Sequence, residues 1–206
     1  MNKFLKKGLL CHYSEDKLIE CGCDEAGRGA LAGPVFAAAV ILPNDYLNQD
    51  INDSKQLNLR KRELLRQEIE KNALAYSVVA ISEKIIDEIN ILNASILGMN
   101  DAVLQLKVKP ELLLIDGNRF INKTTIPYQC VIKGDGIYFS IAAASILAKT
   151  YRDEYMESIA KEFPEYDWAH NKGYPTSKHQ QGILKYGLCK YHRRSFQLKN
   201  QLKIEF

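Results

Sequence analysis

The stretch Ile19-Glu-Cys-Gly-Cys-Asp-Glu-Ala-Gly-Arg-Gly-Ala-Leu-Ala-Gly-Pro34 decides the fold of this chain. An apolar approach ends in two adjacent carboxylates, Asp24 and Glu25, and a Gly27-Arg28-Gly29 turn follows. Adjacent side chains of a strand point to opposite faces, so the two acids converge only where the strand ends or bends, as the glycines allow. Converging carboxylates repel unless a cation or a proton lies between them. The pattern therefore indicates either a site for a hard divalent metal ion or a solvated turn after a strand.

The composition is that of an ordinary globular protein. The 206 residues are 46% hydrophobic and 26% charged, which fits one domain with at most a small appendage. No apolar run reaches the roughly 18 residues of a membrane span, and residues 1–12 are predicted to form a short exposed segment rather than a signal peptide. The five cysteines are odd in number, and Cys21 and Cys23 are too close in sequence for a zinc pattern. They predict free thiols in a reducing, cytoplasmic environment.

The charge is distributed unevenly along the chain. The whole chain carries +3, but residues 161–206 contain nine Lys or Arg against four acids. This basic region is also rich in aromatic residues and histidines. It indicates either a surface for a polyanion such as a nucleic acid or a solvated lysine-rich surface.

Apolar runs and helical periodicity predict an α/β fold with a mixed sheet. The strands are expected at residues 18–23, 35–42, 73–81, 112–116 and 126–131. The helices are expected at residues 58–72, 82–89, 93–106, 141–163 and 177–186. The first two strands are expected to pair antiparallel because the turn between them is short. Leu64, Leu65 and Ile69 are expected to face inward from the first helix.

Four acids share one kind of position. Asp24, Glu25, Asp116 and Asp135 each lie at the end of an apolar strand or in a loop bracketed by glycines. Ligand sites of α/β sheets lie at the carboxyl ends of strands, and oxygen ligands without paired His or Cys fit Mg²⁺ or Mn²⁺. Each acid alone also fits a structural turn or helix approach. Together with the basic region, they favour a metal-dependent nuclease that uses two ions for in-line displacement at phosphorus.

Several ordered motifs resemble the type 2 ribonuclease H family, ribonuclease HII, over nearly the whole chain, from Ile19 to Phe196. The motifs are Cys23-Asp-Glu-Ala-Gly-Arg-Gly-Ala-Leu-Ala-Gly-Pro-Val35, Asp53-Ser-Lys-Gln-Leu57, Leu114-Ile-Asp-Gly117, Lys133-Gly-Asp135, Ile141-Ala-Ala-Ala-Ser-Ile-Leu-Ala-Lys149 with Arg152-Asp153, Lys172-Gly-Tyr174 with Thr176 and His179, and His192-Arg-Arg-Ser-Phe196.

The resemblance implies a ribonuclease H-like fold, with a five-stranded mixed sheet flanked by helices and a small helical C-terminal region. The corresponding division is an N-terminal extension (1–17), a catalytic domain (18–163) and a basic helical region that completes the substrate groove (164–206). The implied activity is cleavage of the RNA strand of RNA–DNA hybrids and incision 5′ to single ribonucleotides in duplex DNA. The products would carry 5′-phosphate and 3′-hydroxyl ends. Ribonucleotide excision repair and DNA replication are the implied settings.

The resemblance also implies roles for the acids, with two Mg²⁺ or Mn²⁺ ions as cofactors. Asp24 would bridge both ions and Asp135 would serve the ion on the nucleophile side. Glu25 and Asp116 would serve the ion on the leaving-group side.

Substrate contacts are implied at further positions. The main chain of Gly27-Arg28-Gly29 would contact the ribonucleotide 2′-hydroxyl, and Tyr174 would stack on the deoxyribose after the junction. Other expected nucleic-acid contacts are Ser54, Lys55, Lys149, Lys172 and Arg193.

Some residues keep two interpretations each. Arg28 is expected either to contact phosphate or to hold its loop through main-chain carbonyls. Arg193 and Arg194 either bind phosphates or pair with acids of the long helix. His179 and His192 are either proton shuttles or structural hydrogen-bonding groups.

The chain departs from the family pattern at two positions. Asn171 replaces the usual His before Lys-Gly-Tyr, and Gly136 replaces the usual Ala after Asp135. Both leave the reaction class unchanged and put the fine substrate preference in question.

Three other functions fit parts of the pattern: a DNA nuclease or strand transferase of the same fold, a non-catalytic hybrid-binding module, and a small metal-dependent phosphohydrolase. A monomer without membrane contact is expected. A contact with a replication clamp is not readable from the sequence.

Overall fold

The structure, a computed structural model, describes residues 9–16, 18–48, 50–51 and 59–196. Its centre is a five-stranded sheet with the spatial order β3-β2-β1-β4-β5. The strands are β1 (Glu20–Ala26), β2 (Val35–Ile41), β3 (Ala75–Ile81), β4 (Leu112–Asp116) and β5 (Tyr128–Val131). β1 pairs antiparallel with β2 and parallel with β4. The predicted mixed sheet and its antiparallel first pair are therefore confirmed.

The helices include those expected and one short helix that was not expected. They are α1 (Leu59–Asn72), α2 (Glu83–Leu104), α3 (Phe139–Ala160), the unexpected α4 (Trp168–Asn171) and α5 (Ser177–Tyr186). α2 is broken at Asn90, which has φ 65°, and the Asn90 side chain accepts a hydrogen bond from the main-chain N–H of Asn93. The break reproduces the two helices expected at 82–89 and 93–106. None of the helices in the described ranges combines the length and the apolar character that crossing a membrane requires.

Helices cover both faces of the sheet, which explains why β2 is apolar throughout. Ala37 and Ala39 belong to the same buried cluster as Met99 of α2. Ala38 and Val40 pack on the other face against residues of α3 such as Leu147. A strand buried on both faces needs no polar alternation.

The segments outside the central sheet are tied to it. Leu9 is buried in the core, and Leu10 exchanges main-chain hydrogen bonds with Ile137 and Phe139 at the start of α3. The C-terminal region shares a buried cluster with Leu31 and Met156. The division at residues 17 and 163 stays a prediction.

The inward position of Leu64 was wrong. Leu65 and Ile69 are buried, whereas the Leu64 residue is 57% exposed. Positions four residues apart share a helix face, and this face of α1 packs towards the sheet. Leu64 lies about a quarter-turn away from that face, so its side chain points to solvent although it is apolar.

Gly22 sets the distance between β1 and α3. A Cβ atom at this position would lie 2.1 Å from the carbonyl carbon of Ser140. The absence of a side chain therefore lets the first turn of α3 contact the strand directly, two residues before Asp24.

We predict that Gly22→Ala destabilises the fold by more than about 2 kcal/mol, because backbone must move to admit the methyl group. Urea unfolding measures the change. Gly136→Ala is the matched control: a Cβ atom there meets no other atom within 4 Å and the φ angle is not positive. It should change the free energy of unfolding by less than about 1 kcal/mol. Equal effects of the two substitutions would refute the close-contact role of Gly22.

Candidate active site

Asp24 and Asp116 lie side by side where the parallel pairing of β1 with β4 ends. The strand expected to end at residue 23 continues to Ala26, because Asp24, Glu25 and Ala26 still pair with β2. The last paired residues of β1 and β4 are Cys23 and Ile115, and each acid is the next residue. Gly22 contacts α3, and Leu114 packs against Ile141 of α3. Because side chains alternate along a strand, both acids point to the α3 face. The parallel pairing thus explains why acids 92 positions apart meet.

Glu25 lies next to Asp24 and borders a cleft of about 440 Å³. Its Oε1 atom accepts a hydrogen bond from Nη1 of Arg28 at 3.0 Å. Neither interpretation proposed for Arg28 describes this contact. The Arg28 guanidinium instead pairs with an acid of the site, and its side chain is 51% exposed.

Asp135 lies in a short 3-10 turn, Gly134–Gly136, that precedes α3. The main-chain N–H of Gly134 donates to Oδ1 of Asp116 at 2.7 Å. This hydrogen bond fixes the turn to the end of β4. The structure therefore brings Asp24, Glu25 and Asp116 together and places Asp135 on a turn attached to them.

Burial and mutual repulsion dominate the electrostatics of the acids. Burial raises the pKa of Asp24 well above its usual value, and the charges of Glu25 and Asp116 raise it further. Hydrogen bonds from Ser145 and from the main-chain N–H of Glu25 oppose this rise. Burial also raises the pKa of Glu25, against the effect of Arg28. Such a cluster gains stability from a proton or a cation.

The donor set fits a hard divalent ion, since it offers only carboxylate oxygens. Among the residues that the structure describes, no group of three or more His, Cys, Asp or Glu side chains is arranged around one point where a metal would lie. Asp24, Glu25 and Asp116 instead accept hydrogen bonds from donors of the chain. The buried charge at Asp24 is the feature that a bound cation would compensate.

Two buried arginines hold the glycine-rich loop. Arg152 is 0% exposed and donates to the carbonyls of Pro34, Ala32 and Lys172. Arg193 donates to the carbonyls of Gly33 and Arg28. The loop-holding role that was considered for Arg28 thus belongs to these two side chains.

Sequence reasoning gave Arg152 no role in the site. One signal was present: Arg152 is a charged residue in a helix that packs on the sheet, in a chain with a glycine-rich loop whose carbonyls need donors. Gly27, at φ +98°, permits the contact, because a Cβ there would lie 2.0 Å from Nε of Arg152.

Tyr174 borders the same cleft as the loop. The preceding Gly173 has φ +82°, and a Cβ there would lie 2.5 Å from the carbonyl oxygen of Ala32. The ring of Tyr174 lies 5.4 Å from the Arg152 guanidinium carbon. Its partial exposure is compatible with the expected stacking role.

The other expected substrate contacts differ in position. Lys149 borders the cleft. Lys172 and Arg193 are buried; Nζ of Lys172 bonds to Glu157 and to the carbonyl of Ala169. In this conformation, these two residues support the loops rather than present charge to a ligand. Ser54 and Lys55 lie outside the described residues.

His179 and His192 form a buried hydrogen-bonded chain. His179 Nε2 lies 2.9 Å from the donor Nε1 of Trp168 and 3.2 Å from His192 Nε2. His179 Nδ1 lies 3.0 Å from the carbonyl of Tyr174, and His192 Nδ1 accepts from the main-chain N–H of Cys189. One pair of neutral tautomers is compatible with all four contacts, with the lone pair of His179 Nε2 shared between the N–H groups of Trp168 and His192. The geometry therefore supports the structural interpretation of these histidines.

The main chain at Arg194 is anchored to α2. The main-chain N–H groups of Arg194 and Ser195 donate to the carboxylate of Asp87 in α2. This anchor fixes the end of the described chain beside the loop that Arg193 holds.

Comparison with known proteins gives consistent results. The family model described as Ribonuclease HII matches residues 21–199. A ribonuclease HII from Christiangramia forsetii is 57% identical over 198 residues, covering 96% of this chain and 100% of the relative. One from Parabacteroides distasonis is 58% identical over 199 residues, covering 96% and 100%. Among solved structures, the PCNA:RNase HII complex from Archaeoglobus fulgidus is similar with a TM-score of 0.74 and 25% identity, covering 92% of this chain and 100% of that chain.

We predict that the histidine chain makes stability depend on pH. Burial, and then the charge of His179, lowers the pKa of His192 from 6.5 to about 4. As the pH falls, the unfolded chain therefore binds the proton before the folded chain does. Stability that is present above pH 6.5 is lost as the pH falls from 6.5 to about 4. In urea unfolding, the free energy of unfolding should depend less steeply on pH for His192→Gln than for the wild type. His170→Gln, at an exposed histidine, should retain the wild-type dependence, and identical curves for all three proteins would contradict the prediction.

Proposed function

The chain belongs to the ribonuclease HII family, and from this premise we propose that it incises duplex DNA 5′ to a single embedded ribonucleotide as well as cutting longer RNA–DNA hybrids. At the coarser level it is an endoribonuclease that acts on RNA–DNA hybrids. The products are a 3′-hydroxyl and a 5′-phosphate. The other functions that fitted parts of the sequence have no specific observation in their favour.

One observation supports this function above the others. Three carboxylates, Asp24, Glu25 and Asp116, lie together where the pairing of β1 with β4 ends, and Glu25 borders the same cleft as the Gly27-Arg28-Gly29 turn. The acids provide the means of cleavage, and the turn provides main chain close to the substrate. A binding module would need only the second of these.

Asp24, Glu25, Asp116 and Asp135 would hold two divalent ions, Mg²⁺ or Mn²⁺. The family's activity depends on such ions; when bound, they supply an activated water and stabilise the leaving 3′-oxygen. In our assignment Asp24 would serve both ions. Asp135 belongs to the nucleophile side, and Glu25 and Asp116 to the leaving-group side. The acids must be ionised to act, so compensation of the buried Asp24 charge is a requirement of the reaction.

The glycine-rich turn would recognise the ribonucleotide. The 2′-hydroxyl distinguishes RNA from DNA, and glycines at 27 and 29 leave room for a sugar to approach the main chain. A Cβ at Gly29 would have only the Tyr174 ring as a neighbour, at 3.9 Å. The buried Arg152 and Arg193 keep this turn in place.

Tyr174 would stack on the sugar that follows the ribonucleotide. Its main-chain carbonyl is held by His179, and its ring borders the cleft. The nucleotide-binding groove would extend over Lys149 and the basic C-terminal region. We propose a cytoplasmic monomer. The Archaeoglobus relative was solved with PCNA, and for this chain a sliding-clamp contact is a proposal only.

Cleavage of a labelled DNA duplex with one ribonucleotide, with Mg²⁺ or Mn²⁺, tests the reaction. The wild type should nick 5′ to the ribonucleotide, and Asp24→Asn should lose at least about 10²-fold in rate because it removes a charge that balances the ions. Asp45→Asn, at an exposed acid outside the site, should keep full activity.

Other outcomes of the same assay have distinct meanings. If the wild type leaves the duplex intact but cuts an all-RNA or all-DNA strand, the carboxylates are right and the recognition role of the turn is wrong. If it cuts nothing with either metal, the catalytic assignment is refuted.

The stacking role of Tyr174 is tested by comparing two substitutions. Tyr174→Phe keeps a ring and should retain cleavage within about threefold. Tyr174→Ala should lower cleavage at a single ribonucleotide about 5- to 100-fold, the range expected for a lost aromatic stack. Equal activity of the two variants would exclude stacking, and thermal unfolding of both proteins controls for folding.

A further inference from the structure

Asp153 joins two cations that come from different helices. It lies on α3, and the residue is 5% exposed. One carboxylate oxygen bonds to Nζ of Lys149, one turn earlier on the same helix. The other accepts from Nη1 of Arg62, on α1, at 3.1 Å. A single buried carboxylate thus fixes both positive groups.

Both cations border the same cleft as Glu25 of the candidate active site. Arg62 and Lys149 line it together with Glu25, the Gly27-Arg28-Gly29 turn and Tyr174. The Lys149 side chain is 35% exposed and that of Arg62 is 18% exposed. Asp153 does not border this cleft; it borders a neighbouring one, whose wall Arg62 shares. The cations are therefore presented to the cleft while their shared counter-charge is withdrawn from it.

Attachment of α1 to the core does not require Arg62. Leu65 and Ile69 of this helix are buried in the core. Arg66 adds hydrogen bonds to Glu70 and to Glu154 of α3, and its guanidinium lies over the ring of Tyr151. A purely structural ion pair at Arg62 would duplicate these contacts. The contacts of Leu65, Ile69 and Arg66 do not explain why Arg62 borders the cleft.

We propose that Arg62 and Lys149, positioned by Asp153, bind one phosphate of the nucleic-acid strand that enters the cleft. This inference rests on the proposed function and adds Arg62 and Asp153 to it. The planar guanidinium offers directed donors and the ammonium offers a compact charge, so the two groups can bind different oxygens of one phosphate. Asp153 is a positioning residue, since it does not face the cleft.

Substitution of Asp153 separates positioning from simple attraction, because the two predict opposite results. Asp153→Asn makes the region more positive. If the cations act only through their field, hybrid binding becomes tighter. If Asp153 positions them on one phosphate, binding weakens although the charge rises. We expect about a fivefold to tenfold weakening, the effect of losing a charge-assisted hydrogen bond.

Binding of a labelled RNA–DNA hybrid, followed by fluorescence anisotropy with EDTA present so that cleavage is suppressed, provides the measurement. The slope of affinity against salt concentration counts the phosphates neutralised. Arg62→Gln and Lys149→Gln should each weaken binding about tenfold and lower the slope by about one. The double variant should lower the slope by no more than about one, because both cations act on the same phosphate. Two cations on separate phosphates would lower it by about two.

Arg66→Gln is the matched control. It removes an arginine of the same helix, one turn further on, that does not border the cleft, and it should leave the salt slope unchanged. Arg62→Lys keeps a charge without the planar fork and should recover part of the affinity. Thermal unfolding of every variant separates loss of binding from loss of fold. The two cleft cations are partly exposed, so their variants test the proposal even if Asp153→Asn does not fold.

The results distinguish failure of this inference from failure of the proposed function. If the wild type neither binds the hybrid nor cleaves it with Mg²⁺ or Mn²⁺, the proposed function fails. If the wild type binds and Arg62→Gln behaves like Arg66→Gln, only the phosphate site is overturned. Tighter binding by folded Asp153→Asn would overturn the positioning role of Asp153.

Discussion

The hydrogen bonds of Arg152 are the interaction on which the site depends most. A guanidinium with 0% exposure is tolerated only when its donors are satisfied. The carbonyls that satisfy them belong to Ala32, Pro34 and Lys172. The position of one side chain on α3 therefore fixes two distant segments, the glycine-rich loop and the turn before Tyr174. Removing a partner from such a buried charge costs several kcal/mol, so neither segment can move without loss of stability.

This anchoring would supply the rigidity that the loop needs for the proposed recognition of the ribonucleotide 2′-hydroxyl. A loop of glycines is entropically costly to order, and a loose loop could not discriminate a ribose from a deoxyribose. Arg193 adds bonds to the carbonyls of Arg28 and Gly33. Both arginines thus donate to main-chain carbonyls and would not compete with the substrate for the surface of the loop. The structural cations and the cations that face the cleft are different residues.

The parts of the fold that depend on local pattern were predictable from the sequence. Apolar runs located the strands, and the ends of two of those runs located Asp24, Glu25 and Asp116, although β1 itself continues to Ala26. The arginine contacts were not predictable, because Arg193 and the loop residue Arg28 are 165 positions apart and no periodicity links them. Lys172 was expected to contact nucleic acid, but it is buried and bonds to Glu157 and to a main-chain carbonyl. A lone basic residue does not reveal whether its partner belongs to the protein or to a ligand.

Acidic and basic residues of the site have opposite effects on an approaching nucleic-acid strand. Asp24, Glu25 and Asp116 repel one another, and on their own they would also repel a phosphate. Arg62 and Lys149 border the same cleft as Glu25, so a strand can be attracted to them before its charge meets the acids. In our proposal, the phosphate that Arg62 and Lys149 bind would be a neighbour of the scissile phosphate, because the scissile phosphate would lie at the carboxylates. The strand would then be positioned by a group that takes no part in the chemistry, which is how binding energy is used to orient a reacting bond.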